Sequence, residues 1–407
     1  MAKRRTLLVF LIILALVSGF AAMWGMHNYV TGFWAALALI TFPFTIILII
    51  AVVAAWLIPN AESLKNIPIS IIALFFAFVL AEGLLRLFKV NQTYLERIGR
   101  TEYQSPFWPD KKNSFWHLYQ PNFTMDFDRG EFWYHRTTNS LGITEREINL
   151  KDTTKVKILC LGDSFTEGIG TTADSSWPRF LERDLAACSH DSLIVYNAGV
   201  AGSEPVYEYH LLKGKLWDVN WRAVVFNINT TDVLECFRRG GMGRFRNDTV
   251  QFRQPPFWEP AYASSRLFRF VMINLLDYNT ELYPNSQCSQ LKLAASDTIF
   301  TVLQHANAEL SARGIKMFVI AAPLTYDVLA HKYTEPGFDN IINNGQQINL
   351  INLLPYFTDS LGYNKNNYTQ IYWPHDGHFN AKGYSLFARK IAQKLEADLS
   401  IPGCSNQ

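Results

Sequence analysis

The chain has few of the features that mark metal-binding or nucleic-acid-binding proteins. Only five of its 407 residues are cysteine, they form no CxxC pair, and no cluster of His and Cys stands at zinc-ligand spacing. We therefore expect neither a structural metal nor a cofactor. The formal net charge is only +2, so no electrostatic excess points to nucleic acid or to a strongly acidic polymer as a partner.

The five cysteines do not reveal whether they pair. Cys160 lies in an apolar run that is typical of a buried thiol. The other four fall near predicted loops and are able to pair if the domain faces an oxidising compartment: Cys188, Cys236, Cys288 and Cys404. Both states stay open, because pairing cannot be read from a sequence.

Long apolar stretches dominate the first 89 residues. They cover residues 6–26, 28–61 and 67–85. Each is long enough to cross about 30 Å of hydrocarbon at about 1.5 Å per residue. We predict a membrane region over residues 1–89 with three transmembrane helices. For the first stretch, which follows a basic N-terminus, a cleaved signal peptide remains an alternative.

The charged residues that flank these stretches only partly support one orientation of the chain in the membrane. Those on the predicted cytoplasmic side are Lys3, Arg4, Arg5 and Lys65, whereas Arg86 and Lys89 fall outside. This orientation predicts a multi-pass protein of the inner (plasma) membrane, with everything beyond residue 89 outside the cytoplasm. Glu82 and Arg86 stand four residues apart near the end of the third stretch, a spacing typical of an ion pair.

The rest of the chain changes character twice. Residues 90–155 are polar and aromatic, which predicts a linker and peripheral strands. From 156 to 400 strands alternate with helices, and this pattern predicts a parallel sheet with helices on both faces. The expected strands are 156–161, 193–196, 223–228, 316–322 and a weaker 348–354, and the expected closing helix is 381–399. The segment 235–290 interrupts the alternation and is interpreted as an insertion.

The tripeptide Gly162-Asp163-Ser164 follows the first strand of the predicted sheet. It places a hydroxyl at the carboxyl end of the sheet, where ligand crevices form in open α/β folds. Serine is a weak nucleophile unless a base takes its proton and a carboxylate orients that base. Asp376 and His378 stand together just before the last helix, with His375 as a competing base. Gly-Asp-Ser alone is ordinary turn chemistry, but the two motifs in these contexts predict a catalytic serine.

Residues 136–399 resemble the SGNH (GDSL-like) hydrolase family, especially its bacterial membrane-anchored members. Two blocks of the sequence match the family pattern well. The first block is the run from Leu159 to Thr166, which implies that Ser164 is the nucleophile and that its own backbone N–H helps to form the oxyanion hole. The second runs from Tyr196 to Gly202 and implies Gly199 as another N–H donor. The resemblance implies a flavodoxin-like three-layer α/β/α domain. The segment from Arg136 to Gly142 also resembles these relatives and implies an architectural role.

The later blocks depart from the family pattern. The third block normally presents Asn-Asp, but Thr231 stands where that Asn is expected. Either the Thr231 hydroxyl or Asn229, on the same face of the strand, is then the last oxyanion donor. Asp376 and His378 are two residues apart rather than three, a spacing that resembles the membrane-anchored members. His378 is then the general base, and Asp376 holds its tautomer.

These observations predict a membrane-anchored serine esterase or deacetylase. It would form an acyl-serine from an ester of a glycan, a lipid or a small molecule, and its expected partners are the lipid bilayer and that ester. Acyl transfer to an envelope polysaccharide by an O-acetyltransferase is one alternative, although three helices are few to carry an acyl donor across a membrane. A non-catalytic SGNH-fold binding protein is the other, because of Thr231.

Overall fold

Fourteen α-helices and ten β-strands lie within the residues that the structure describes. This computed structural model describes residues 2–28, 32–57, 67–97, 103, 105–107, 112–113, 115–149, 154–189, 193–246 and 249–399. The helices are α1 (Ala2–His27), α2 (Phe33–Leu57), α3 (Ile67–Leu87), α4 (Tyr94–Arg97), α5 (Ser164–Glu167), α6 (Trp177–Ser189), α7 (Pro205–Leu211), α8 (Thr230–Arg239), α9 (Glu259–Ser264), α10 (Arg266–Phe270), α11 (Asn285–Ala312), α12 (Thr325–Ala330), α13 (Phe338–Asn343) and α14 (Ala381–Leu399). The strands are β1 (Lys112–Asn113), β2 (Thr124–Asp128), β3 (Trp133–Thr137), β4 (Val156–Gly162), β5 (Leu193–Gly199), β6 (Ala223–Ile228), β7 (Phe245–Arg246), β8 (Thr249–Val250), β9 (Lys316–Ala321) and β10 (Leu350–Asn352).

Contacts between residues divide the chain into two compact units. The first comprises Met1–Trp108 and Gln254–Cys288, and the second comprises Pro109–Arg253 and Ser289–Gln407. The boundaries expected from the sequence, at residues 89, 155 and 400, stay predictions. The segment interpreted as an insertion, 235–290, is divided between the units, because its residues 254–288 group with the N-terminal helices.

The first unit contains two helices that are long and apolar enough to cross a membrane by length and composition. They are Phe33–Ala54, within α2, and Ile67–Leu87, which is α3. Within α1 the apolar stretch is shorter, Val9–Gly25, so the predicted count of three transmembrane helices is not confirmed. The 21 residues of α3 extend about 31 Å at about 1.5 Å per residue, close to the thickness of a bilayer core.

The second unit is built on a five-stranded sheet in which all neighbouring strands are parallel. The strand order is β10-β9-β6-β4-β5. Every strand expected from the apolar runs is present, and the weak fifth is shortened to β10. Both faces of a parallel sheet are covered, which is why these strands are continuous apolar runs; all six residues of β6 are buried. The predicted parallel α/β architecture is confirmed.

The order of the strands places a crevice beside β4. Counted in chain order within this sheet, the strands lie in the order 2-1-3-4-5, the doubly wound arrangement in which ligands bind outside the carboxyl ends near the first and third strands. Those two strands are β4 and β6. The chain continues from β4 into Asp163 and Ser164, and from β6 into Asn229.

Charged side chains cover the free edge of β5. Glu182 accepts the Val195 N–H at 2.6 Å, and Glu145 accepts the Asn197 N–H at 2.5 Å. Arg146 donates to the Val195 carbonyl at 3.0 Å and pairs with Glu182. An uncovered edge strand can pair with a strand of another chain. This network gives the outward-facing backbone groups of Val195 and Asn197 side-chain partners, so they are not open to such pairing.

The described cysteines are unpaired thiols. Cys160, in β4, is buried as its apolar run predicted. Cys236 and Cys288 were expected near loops, but they lie in α8 and α11 and are buried and free. The side chains of Cys188 and Cys404 lie outside the described residues.

Candidate active site

Ser164 occupies the turn that joins β4 to the short helix α5. The last residue of β4, Gly162, has a φ of +154°, and a Cβ there would lie 2.1 Å from Thr166 Oγ1. Only glycine therefore fits this position. Asp163 caps α5, its Oδ1 accepting the Phe165 N–H at 2.9 Å. Ser164 then stands at the first helical position, where its backbone N–H has no intrahelical partner.

The structure brings Ser164, His378 and Asp376 into one hydrogen-bonded line. Ser164 Oγ lies 2.8 Å from His378 Nε2, and His378 Nδ1 is bonded to Asp376 Oδ1. Because the carboxylate accepts a hydrogen bond from Nδ1–H, Nε2 is left as the acceptor for the serine O–H. This is the arrangement of nucleophile, base and orienting carboxylate.

The loop before α14 selects one of two histidines. Burial alone would raise the pKa of Asp376, but the hydrogen bond and the charge of His378 hold that pKa below its ordinary value. Glu131 Oε2 accepts the backbone N–H groups of His375 and Asp376 at 3.0 and 2.7 Å. The His375 side chain is exposed, so the structure places His378 against Ser164, while Glu131, which sequence reasoning missed, shapes the loop.

Asn229 and Thr231 are hydrogen-bonded to each other beside the turn that carries Ser164, the nucleophile turn. Asn229 is fully buried, and its Nδ2 donates to Asp163 Oδ2 at 2.9 Å. Its Oδ1 accepts from the N–H and the hydroxyl of Thr231 at 2.9 and 2.5 Å. Asn229 also caps α8, with Asp232 completing a capping box. The observed role of Asn229 is to join Asp163 to α8.

The predicted donor Gly199 is already engaged. Its N–H donates to Asn197 Oδ1 at 2.9 Å, a bond that would have to break before this N–H could serve as an oxyanion donor. Glycine is needed there because a Cβ would lie 2.1 Å from the Glu167 backbone nitrogen. Three residues later, Gly202 has a φ of +72°, and its N–H bonds to nothing among the described residues. Its only sequence signal was a second glycine in the same block.

Buried polar residues hold the loops around Ser164. Arg136 is buried and donates to the Gly168 carbonyl at 2.7 Å and to the Thr171 carbonyl at 2.9 Å. Glu167, directly before Gly168, accepts the Ala201 N–H at 2.9 Å. These bonds tie the loop after α5 to the β3 strand and to the loop after β5, which agrees with the architectural role that the resemblance implied for Arg136.

Three carboxyl groups lie buried behind the nucleophile turn: Asp163, Glu208 and Asp232. Burial raises the pKa of each, and for Glu208 and Asp232 the neighbouring carboxylates raise it further. Glu208 Oε1 lies 3.0 Å from Ser203 Oγ. Glu208 Oε2 and Asp232 Oδ1 have no hydrogen-bond partner among the described residues. These carboxyl groups therefore retain protons to a higher pH than free carboxylic acids do.

One cavity of the second unit is not lined by the side chains of Ser164 and His378. This cavity, of about 550 Å³, is lined by Arg136, Glu145 and Glu182 together with neighbouring residues. Across the described residues no group of three or more His, Cys, Asp or Glu side chains is placed to hold a metal ion.

Comparisons with known proteins found relatives among solved structures only. No family model and no curated protein matches the chain. A lipase/acylhydrolase from Enterococcus faecalis is 15% identical with a TM-score of 0.36, and the match covers 60% of this chain and 96% of that one. The acetyl xylan esterase AlAXEase is 18% identical with a TM-score of 0.38, covering 59% and 100%. A G-D-S-L family protein from Desulfitobacterium hafniense is 12% identical with a TM-score of 0.34, covering 59% and 99%. The solved structures to which this chain is similar thus include a lipase/acylhydrolase, an acetyl xylan esterase and a protein of the G-D-S-L family.

Proposed function

We propose that the chain is a membrane-anchored serine esterase or deacetylase of the SGNH type, with a flavodoxin-like three-layer catalytic domain. One observation carries the proposal. Ser164 Oγ lies 2.8 Å from His378 Nε2, and the other ring nitrogen of His378 is hydrogen-bonded to the Asp376 carboxylate. A surface serine without such a base is a weak nucleophile, and this contact is what activates it.

The first half-reaction forms an acyl-serine. His378 Nε2 takes the Ser164 proton while Oγ adds to the ester carbonyl carbon, and the carbonyl π electrons move onto oxygen. Asp376 stabilises the imidazolium that forms without taking its proton. The tetrahedral intermediate then collapses, the C–O bond to the alcohol breaks, and His378 returns the proton to the departing oxygen.

The second half-reaction releases the acid. Water takes the place of the alcohol, loses a proton to His378 Nε2, and adds to the acyl carbon. Collapse of the second intermediate breaks the bond to Ser164 Oγ, which recovers the proton from His378. A sugar hydroxyl in place of water would give transfer instead of hydrolysis, so the acceptor alone separates the two outcomes.

For the oxyanion we propose two backbone donors, the N–H groups of Ser164 and Gly202. Both are without partners in the described structure, whereas the Gly199 N–H is used by Asn197. The Thr231 hydroxyl can join them only by leaving Asn229 Oδ1. A missing donor costs about 10²- to 10³-fold in rate, so a hole of two donors favours a slow enzyme or an activated ester.

The location and substrate complete the proposal. The two candidate spans, α2 and α3, support anchoring of the chain in the inner (plasma) membrane, and we propose that α1 crosses it as well. The catalytic unit then lies outside the cytoplasm and acts on an ester of an envelope glycan, a lipid or a small molecule.

The test compares variants of the detergent-solubilised full chain in hydrolysis of p-nitrophenyl acetate. His378→Gln is expected to lose about 10⁴-fold or more of the activity, and Asp376→Asn about 10⁴-fold. His375→Gln is the matched control and should keep the wild-type rate. Equal rates in His378→Gln and wild type would overturn the proposal. Release of acetate is measured with and without a glycan acceptor, and acceptor-dependent product with little free acetate would replace hydrolysis by transfer.

A further inference from the structure

One segment of the first unit buries its arginine side chains and exposes leucine side chains. Residues 266–276 form α10 and a π-helical turn, Val271–Leu275. Both arginines of this segment are buried, Arg269 completely, whereas Leu275 and Leu276 are 67% and 54% exposed. A helix on a water-facing surface shows the opposite pattern, with its charges outward and its leucines inward.

Specific bonds hold the two arginines inside. Arg269 pairs with Glu96 through contacts of 2.6 and 3.0 Å and donates to the Asn91 carbonyl at 2.9 Å. Arg266 donates to the Arg86 carbonyl, in the last turn of α3, at 3.3 Å. The guanidinium groups thus bond to backbone carbonyl groups at the end of α3 and just after it.

A buried carboxylate fixes the depth of α10 along α3. Glu82, in α3, is fully buried and accepts from the Ser265 hydroxyl at 2.9 Å and from the Leu267 N–H at 2.8 Å. It also pairs with Arg86 at 2.7 Å, as an acidic residue in a membrane-spanning helix requires. Glu82 lies five residues before the end of α3 at Leu87, a distance of about 7.5 Å along the axis.

We propose that α10 and the π-helical turn lie in the headgroup region of a phospholipid bilayer, with Leu275 and Leu276 inserted among the acyl chains. Interfacial helices bury their apolar face about 5–10 Å into this boundary, which is the depth that Glu82 sets. Phe257, before α9, is 95% exposed and belongs to the same lipid-facing surface. This inference rests on the proposed membrane anchoring and adds a second, non-spanning contact to it.

Neighbouring apolar residues of the first unit are also exposed. At the end of α3, Leu87 and Phe88 are about as exposed as Leu275, so the apolar surface of the spanning helix continues towards α10. Behind α10 lies an aromatic cluster in which Trp258 and Tyr262 pack together. A bilayer, rather than a protein partner, matches this surface.

The experiment measures the depth of single positions in lipid nanodiscs that contain the full chain. An environment-sensitive fluorophore is attached to Leu275→Cys, and nanodiscs contain lipids brominated either near the headgroup or near the terminal methyl of the acyl chain. Phe76→Cys, in the middle of α3, reports the spanning helix, and Leu329→Cys, an exposed leucine of α12, is the matched control. Labelled wild type gives the background from native cysteines, and Leu276→Cys is the second variant if Leu275→Cys does not fold.

The expected result is loss of most emission at position 275 with bromine near the headgroup, and much weaker loss with bromine near the methyl end. Position 76 should show the reverse, and position 329 should lose nothing. Quenching at 76 without quenching at 275 overturns this inference alone, and leaves a protein partner as the occupant of the surface. Absence of quenching at 76 overturns the membrane anchoring itself, while reaction of Ser164 with a fluorophosphonate reports the enzyme independently.

Discussion

Replacing Asn229 with alanine removes the amide that joins the nucleophile turn to α8. Its bond to the buried Asp163 carboxylate, a contact of 2.9 Å, contributes about 1.5–3 kcal/mol as a hydrogen bond to a charged group. The lost N-cap of α8 adds about 1 kcal/mol. Asn229→Ala is therefore expected to lower the free energy of unfolding by about 3 kcal/mol, and the urea midpoint by roughly 1 M.

The matched control lies two residues earlier, within β6. Asn227 is also fully buried, but its amide nitrogen and oxygen both lack partners in the described structure. Asn227→Ala leaves a small cavity yet removes two unsatisfied polar atoms, so it should cost clearly less than Asn229→Ala. Urea unfolding of the detergent-solubilised full chain, followed by intrinsic fluorescence, measures both. Equal midpoints for the two variants would refute the role of the Asp163–Asn229 bond.

Three further predictions concern the loop, the buried acids and the sheet edge. Glu131→Ala should lower kcat about 10- to 100-fold by releasing the loop that carries His378, with a smaller loss in Glu131→Gln; a change confined to KM would contradict it. The pKa of Glu208 is raised in the folded state. The stability that the protonated Glu208 side chain contributes is therefore complete below the pKa that this group has in the unfolded chain, and it is lost as the pH rises through the pKa of the folded state. The urea midpoint should therefore fall as the pH rises above the ordinary pKa of a glutamic acid side chain, and an unchanged slope in Glu208→Gln would exclude this group as the cause. Glu182→Ala should cost about 1–3 kcal/mol in unfolding free energy because the Val195 N–H loses its acceptor, whereas Arg183→Ala, one residue away, should leave the urea midpoint nearly unchanged.

The sheet was predictable because its strands are buried on both faces. β6 and α14 have the bounds that the sequence indicated, and β4 differs by one residue. A continuous apolar run bounded by turn residues leaves little freedom in assigning such strands. The short β10, with only half-buried residues, carried a weaker signal, and its predicted limits were too wide for the same reason.

The meeting of Ser164, His378 and Asp376 was also predictable, since motif and strand context constrain where these residues lie. The oxyanion donors were not, because the use of a backbone N–H depends on its neighbours in space. Gly199 looked available until the side chain of Asn197 was placed beside it. Asn229 looked like a donor towards the substrate, yet its amide bonds to Asp163, which is 66 residues away in the chain.

The limits of the segment 235–290 depended on contacts that no local pattern shows. Residues 254–288 belong with the N-terminal helices because Glu82 and Glu96 bind the backbone and arginines of α10. Each of these bonds joins positions more than 170 residues apart. The structure buries Arg266 and Arg269 through such contacts.

The most direct test of the central claim is reaction of the full chain with a fluorophosphonate, followed by mass spectrometry of its peptides. We expect one adduct on Ser164, no adduct in Ser164→Ala, and a greatly slowed reaction in His378→Gln, because Nε2 no longer accepts the serine proton. Folded wild type that stays unmodified, or an adduct that persists in Ser164→Ala, would contradict it.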